Sequence, residues 1–409
     1  MSLIICPECG HDLSTKAARC PNCGAPVPSV SAATTDGAAL APGARAATPE
    51  APGIPRRAPP PAKMSVANPF WNAPEQRLRA AWRLVLTSCA FVLLAVLVAS
   101  VGLRLLIGPV ILRLLGGGAA PAGDAGHSLL YLLQDGLVAL LTGLLTVWLC
   151  GRPLDRRPFA GFGLALSRQW WQDLGLGLGL GAALVVVIFL IEDGAGWIRV
   201  AFGAPPALAA YGTGAALVAG LIGCTSNGIA VELLFRGYLL RNLAEGLRGP
   251  LRGSQAAIVV AWLLSSTVGG YFVHSGQHAP GLSMPVMTAV NLLLGLGYIL
   301  TGQLALPIGL SIAGTFFEGC VFGFPFGGQA GFSALLTTRQ GGPDLWTGGA
   351  FGPQGGLITV VVVLVFAALV AWIARARYGK LALQVDLADP PAGSVAAAGK
   401  SAEPAAEEA

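Results

Sequence analysis

Charged residues are scarce in this chain. Asp, Glu, Lys and Arg make up 11% of its 409 residues, whereas they approach a quarter of a soluble domain. Hydrophobic residues make up 54% of the sequence, which excludes an ordinary soluble fold. The apolar runs are also too long and too uniform for the alternating strands of a membrane β-barrel. The composition therefore predicts an all-α polytopic membrane protein.

The N-terminus lacks the basic stretch and long apolar core of a cleavable signal peptide, so the first membrane span is expected to serve as the targeting signal. Apolar runs close to the roughly 20 residues that cross a bilayer recur along the chain. Within the third run, glycines four residues apart between Gly175 and Gly181 predict a close approach of two helices. The runs predict eight transmembrane helices, near residues 80–103, 128–150, 173–191, 214–240, 254–273, 285–300, 303–322 and 357–374.

Basic residues concentrate in the loops at one end of the predicted bundle, as they do in cytoplasmic loops. We therefore predict that both termini are cytoplasmic, in a bacterial-type cytoplasmic membrane. This topology and attraction to the anionic lipid bilayer account for the formal charge of +5, so no nucleic-acid partner is expected. The basic residues at this end of the predicted bundle are Arg77, Arg79, Arg83, Arg152, Arg156, Arg157, Arg168, Arg241, Arg248, Arg252, Arg375, Arg377 and Lys380.

Four cysteines form two Cys-x2-Cys pairs near the N-terminus: Cys6, Cys9, Cys20 and Cys23. Four thiolates at this spacing can close a tetrahedral Zn²⁺ site with no open position, which makes the metal structural. Two disulfides are the alternative, which a cytoplasmic location disfavours. We predict that residues 1–26 form a zinc ribbon, that Zn²⁺ binding supplies its folding free energy and that the ribbon contacts a protein partner.

The segments that flank the membrane domain have a different composition. Residues 27–75 are rich in Pro and Ala, which predicts an extended, semi-rigid linker. Residues 76–380 are predicted to form the transmembrane domain, and residues 381–409 a disordered tail.

Glu232 and Arg236 place opposite charges inside an apolar run, where each costs roughly 2.5–3.5 kcal/mol at a helix centre. Because they are four residues apart, they share one helical face and can neutralise each other. The pair has two interpretations, an ion pair that only holds a helix bundle together or part of an active site. Asp135 and Glu318 are two further intramembrane acids, each expected to pair with Arg236 or with another polar group across the bundle.

With Glu232, Arg236 and the following Gly237 and Tyr238, the chain resembles the type II CAAX prenyl protease and bacteriocin-processing proteins, the CPBP or Abi family, across about residues 160–325. The family consists of intramembrane glutamate endopeptidases. Its three motifs are Glu-Glu-x-x-x-Arg, Phe-x-x-x-His and His-x-x-x-Asn or Asp. The resemblance implies a multi-helix membrane domain and a peptide or prenylated-peptide substrate.

The catalytic positions depart from the family pattern. Val231 stands where the first Glu belongs, while Ser311 and Thr315 replace the His and Asn of the third motif. In the second motif the His is either His274 or, counting from the preceding Ser pair, is replaced by Val273.

Three hypotheses follow. The first is a peptidase in which Glu232 acts as the base, Arg236 orients it and His274 stabilises the transition state. The second is a non-catalytic relative that binds a peptide, a lipid-linked chain or a partner protein. The third is a transporter, which would also explain intramembrane charges but for which no inverted repeat is apparent.

Overall fold

A computed structural model describes residues 3–5, 12–14, 68–72, 75–101, 124–203, 212–274, 281–328 and 335–391. The chain divides into two compact units, residues 1–65 and 66–409. In the first unit, strands β1 (Leu3–Ile5) and β2 (Asp12–Ser14) pair antiparallel, with Ile5 opposite Asp12. The four predicted zinc ligands lie outside the described residues.

The second unit is mainly helical. Its described helices are α1 (Ala80–Leu97), α2 (Asp124–Thr146), α3 (Arg168–Gly194), α4 (Thr213–Glu232), α5 (Arg241–Leu247), α6 (Ser254–His274), α7 (Ser283–Thr301), α8 (Ala305–Thr315), α9 (Asp344–Thr347) and α10 (Leu357–Tyr378). Four described π-helical segments extend or join them: residues 98–101 after α1, Val147–Gly151 after α2, Leu233–Leu240 between α4 and α5, and Phe316–Val321 after α8.

Seven described helical stretches are long and apolar enough to cross a membrane: Ala80–Val101, Leu132–Gly151, Arg168–Gly194, Thr213–Leu247, Ser254–Phe272, Ser283–Thr301 and Leu357–Tyr378. They confirm the predicted all-α polytopic fold. The span predicted at 303–322 is instead a shorter apolar helix, Ala305–Val321. It starts just after Gly302, whose φ of 70° ends α7 in the left-handed conformation that glycine adopts readily.

Close packing of α3 against α8 depends on two glycines. A Cβ added at Gly177 would lie 2.3 Å from the carbonyl oxygen of Leu306, and one at Gly181 would lie 2.6 Å from that of Leu310. Gly175 and Gly179, which alternate with them, have nothing within 4 Å of an added Cβ. The prediction of a close helix approach is thus confirmed for the pair on one face of α3.

Two antiparallel pairings connect loops of the second unit. Strands β3 (Trp71–Asn72) and β4 (Arg77–Leu78) form a hairpin within and just after the predicted linker. Strands β5 (Ile198–Phe202) and β6 (Leu336–Gln340) join the segment after α3 to the segment before α9.

Residues 381–391 differ from the predicted disordered tail. Val385–Ala388 form one 3₁₀ turn in which Leu387 and Ala388 are buried. The backbone N–H of Gln384 donates to the carbonyl oxygen of Ile299 at 3.0 Å, which fixes the segment to α7. Residues 381–388 are mainly apolar, and the buried side chain of Leu387 is one of those that can pack against the bundle.

Candidate functional site

Glu232 and Arg236 lie at the junction between α4 and the π-helical segment that follows it. Glu232 is the last residue of α4, and Arg236 belongs to Leu233–Leu240. Arg236 Nη1 donates to Glu232 Oε1 at 3.1 Å, and the two side chains are 1% and 0% exposed. The prediction that the two charges can neutralise each other is confirmed, and both are buried within the helix bundle. A π-helical segment within a longer helix frequently marks a functional site.

Asn291, which the sequence reading missed, completes the surroundings of Arg236. Arg236 Nη2 donates to Asn291 Oδ1 at 2.6 Å and to the Asn291 carbonyl oxygen at 3.1 Å. The Ser266 hydroxyl donates to the same carbonyl at 3.2 Å, and both Asn291 and Ser266 are buried. The four residues therefore link α4, the π-helical segment, α6 and α7. The one available signal was an isolated amide within the apolar run at 285–300.

One oxygen of the Glu232 carboxylate takes no part in this hydrogen-bond network. Glu232 Oε2 is buried and has no hydrogen-bond partner among the described residues. A buried acceptor without a partner is rare, and an ordered water is its usual companion. The carboxylate thus has one oxygen fixed by Arg236 and one that can accept a proton or a hydrogen bond.

The second-motif positions lie on α6, which packs closely against α7. A Cβ added at Gly269 would lie 2.4 Å from Asn291 Oδ1, and one at Gly270 would lie 2.4 Å from Thr288 Oγ1. On either alignment, the position of the family's Phe is therefore a glycine that lets α7 approach. His274 is the last residue of α6, but its ring lies outside the described residues. The role of His274 stays a prediction.

The third-motif positions line a cavity that is separate from the Glu232–Arg236 pair. Ser311 and Thr315 on α8 line a cavity of about 120 Å³, together with Glu318 and Gln354. Glu232 and Arg236 are not among the described residues that line it. The replaced third motif and the preserved half of the first motif therefore have separate surroundings.

The two other intramembrane acids differ in their environment. Glu318 Oε2 accepts from Gln354 Nε2 at 3.1 Å, so Glu318 pairs with a polar group across the bundle, which is one of the two predicted outcomes. Arg236 is held by Glu232 and Asn291 instead. Asp135 lies on an exposed face of α2.

A second ionic cluster, centred on Glu245 of α5, lies at the basic end of the bundle. Glu245 Oε1 accepts from both Arg77 and Arg83, and Glu245 Oε2 accepts from Arg157 Nη2 at 3.0 Å. Arg83 also donates to Asp155. One carboxylate thus holds together β4, α1, α5 and the loop after the second span.

Burial opposes the charged states in this cluster. Loss of solvent raises the pKa of Asp155 above its ordinary value, although the Arg83 guanidinium acts in the opposite direction. Loss of solvent also lowers the pKa of Arg157, and repulsion from Arg241 adds to the decrease. The ionised groups of the cluster therefore depend on one another.

The fold and the site define an α-helical, multi-pass membrane protein with a buried Glu–Arg pair at a π-helical segment. Residues 213–317 match the family described as type II CAAX prenyl endopeptidase Rce1-like, and residues 5–27 match the zinc-ribbon domain family. The multi-pass membrane unit thus contains a region similar to the CAAX prenyl endopeptidases, as the resemblance predicted, and the N-terminal segment matches a zinc ribbon, as the cysteine spacing predicted. No curated protein and no solved structure matches the chain significantly.

Proposed function

We propose that this protein is a non-catalytic member of the CAAX protease-like group, in which the buried Glu232–Arg236 pair holds the helix bundle together. The observation that carries the proposal is the closed network around Arg236. Its guanidinium is bound by Glu232 on one side and by Asn291 on the other, and all three side chains are buried. Charges that pair while facing the bundle interior avoid the cost of contact with lipid, so this pair can stabilise the bundle without a chemical role.

The substituted motif positions support the same proposal. Glutamate endopeptidase chemistry needs a carboxylate that takes a proton from water and donors that stabilise the developing oxyanion. Val231 can do neither. Loss of one oxyanion donor typically costs about 10²–10³ in rate, and Ser311 and Thr315 replace two donors of the family pattern. Together these replacements argue against ordinary turnover.

The function left to such a protein is binding. We propose that the membrane domain takes up a peptide or a lipid-linked chain and that the zinc ribbon contacts a protein partner. The basic end of the bundle, with Arg79, Arg248 and Arg252, favours an orientation with both termini on the cytoplasmic side. Recruitment of a cytoplasmic partner to a membrane-bound ligand would follow from this arrangement.

Structural zinc in the ribbon belongs to the same proposal. The donors Cys6, Cys9, Cys20 and Cys23 are four thiolates, which suit a tetrahedral Zn²⁺ site. Pairing of Ile5 with Asp12 brings together the chain on either side of the first Cys-x2-Cys pair. When bound, zinc supplies folding free energy to a unit that is too small for a large core.

Removal of two ligands is expected to abolish zinc binding. Purified wild type should contain about one zinc per chain by elemental mass spectrometry, and the double variant Cys6→Ser/Cys9→Ser close to none. The matched control is Cys89→Ser/Cys150→Ser, which removes two of the free thiols of the membrane unit and should leave the zinc content unchanged. Equal zinc in the wild type and the ligand variant would rule out the site.

The test of the non-catalytic proposal is cleavage of a fluorogenic prenylated peptide in detergent or liposomes. We expect the wild type and Glu232→Gln to give the same background rate, while an active CAAX-type protease cleaves under the same conditions. Thermal unfolding and gel filtration would verify that both proteins are folded. Cleavage by the wild type that Glu232→Gln abolishes would overturn the proposal.

A peptidase is the second candidate, and one observation favours it. Because Glu232 Oε2 has no partner among the described residues, it is able to accept a hydrogen bond from a water. Restoring Val231→Glu, Ser311→His and Thr315→Asn together separates the two candidates further. Activity that appears only in the restored variant supports a scaffold that has lost its chemistry, whereas activity already present in the wild type supports the peptidase.

A further inference from the structure

The cavity that Ser311 and Thr315 line contains buried polar side chains that have no role in the proposed function. It measures about 120 Å³ and lies among α3, α7, α8 and the start of α10. Aliphatic side chains form most of its wall. Its polar residues are Ser311, Thr315, Glu318, Gln354 and Thr359.

Two buried oxygens in this wall are without partners. Gln354 Nε2 donates to Glu318 Oε2 at 3.1 Å, which leaves Glu318 Oε1 and Gln354 Oε1 with no hydrogen-bond partner among the described residues. Both side chains are 9% exposed. Buried acceptors in an apolar wall are costly unless a donor or a cation satisfies them.

The charge balance indicates what satisfies them. Among the described residues that line the cavity, Glu318 is the one carboxylate and there is no Lys or Arg. The Thr359 hydroxyl donates to the carbonyl oxygen of Pro353 at 2.5 Å, so its proton does not serve Glu318. A single positive charge would neutralise the ionised carboxylate of Glu318 in these apolar surroundings.

We propose that this cavity binds a small monovalent cation such as Na⁺. Its ligands are the side-chain oxygens of Glu318 and Gln354, with the Ser311 and Thr315 hydroxyls nearby. Hard cations prefer oxygen ligands of these types. Since a water occupies about 30 Å³ in the liquid, the cavity accommodates an ion with a few waters that complete its coordination.

Glu192 provides a matched comparison. Its Oε2 accepts from Gln340 Nε2 at 2.9 Å, and its Oε1 has no partner among the described residues. Like Glu318, Glu192 is buried and accepts a hydrogen bond from a glutamine side chain, but Glu192 is not among the residues that line the cavity. Glu192→Gln therefore removes a comparable buried carboxylate that does not line the cavity, although it is close enough to interact electrostatically with Glu318.

The experiment measures thermal unfolding of the full chain in detergent, with NaCl replaced stepwise by N-methylglucamine chloride at constant ionic strength. Because the cation binds only the folded state, we expect the melting temperature of the wild type to rise by roughly 2–4 °C for each tenfold rise in Na⁺ above the dissociation constant. Glu318→Gln should lose this dependence, and Glu192→Gln should keep it.

A second readout keeps the proposal testable if Glu318→Gln is poorly folded. Equilibrium binding of ²²Na⁺ should be saturable in the wild type and in Glu192→Gln, and should weaken at least tenfold in Gln354→Leu. In Na⁺-free buffer Glu318→Gln should be at least as stable as the wild type, because it lacks an unneutralised charge. A cavity that holds only water would give no cation-specific shift and no saturable binding, which would overturn the proposal. Neither readout depends on peptide cleavage.

Discussion

Replacing Glu245 with glutamine is expected to destabilise the membrane domain by about 3–5 kcal/mol, the usual effect of removing one partner from a buried ion pair. Glu245 is 7% exposed in its side chain and accepts hydrogen bonds from Arg77, Arg83 and Arg157. Glutamine keeps the size of the side chain but removes the negative charge that three buried guanidinium groups share. The free energy of unfolding can be measured by titrating dodecylmaltoside micelles with SDS.

Glu75→Gln is the matched control for this prediction. Glu75 also pairs with Arg77, at 2.5 Å, but its side chain is 25% exposed and it contacts none of the other arginines in the described cluster. Its loss should cost at most about 1 kcal/mol, as for partly solvated ion pairs. If Glu245→Gln and Glu75→Gln unfold at the same SDS fraction, the carboxylate of Glu245 does not have the central role that its contacts indicate.

The arginines of this cluster illustrate how far sequence reasoning reaches. From the sequence, Arg77, Arg83 and Arg157 are predicted to be among the basic residues that set the orientation of the protein. In the structure they are 2%, 1% and 7% exposed and bound to carboxylates. Their partners are 72 or more positions away in the sequence for Arg83 and Arg157. No local pattern relates residues at such distances.

The helices were predictable for a simple physical reason. Each must satisfy its backbone hydrogen bonds within lipid, so a long apolar run has one stable conformation. The pairing of β5 with β6 connects loops that are far apart in the chain, and residues 381–391 owe their structure to contacts with α7 and α5. These features follow from the arrangement of the helices, which hydropathy does not specify.

In the candidate site, too, some contacts follow from local sequence spacing and others depend on the arrangement of the helices. Spacing alone brought Glu232 and Arg236 together, because residues four apart share a helical face. Asn291 carries no comparable signal, since it is an isolated amide in a different span, and the Ser pair that includes Ser266 does not indicate what Ser266 contacts. The cavity beside Ser311 owes its unpaired oxygens to Gln354, which lies beyond the region that resembles the family.

Replacing Arg236 with leucine is expected to destabilise the protein by about 3–5 kcal/mol, because the Glu232 carboxylate would remain buried without its partner. The Glu232→Leu/Arg236→Leu double variant should recover most of this loss, since apolar replacement of both members of a buried pair is often neutral. A residual deficit of about 1–3 kcal/mol is expected, because Asn291 Oδ1 loses its donor.

Arg248→Leu is the control for this cycle, because Arg248 forms an ion pair with Asp389 in which both side chains are nearly half exposed. Its loss should have a small effect, since solvent screens such pairs. Unfolding in mixed micelles of dodecylmaltoside and SDS gives the free energies of the wild type, Glu232→Leu, Arg236→Leu and the double variant, and from these four the coupling between Glu232 and Arg236. Recovery in the double variant means that the pair acts through mutual neutralisation, as a structural element would. A double variant no more stable than Arg236→Leu would instead require that the carboxylate or the guanidinium has a further partner, such as water at Glu232 Oε2, and would favour the peptidase.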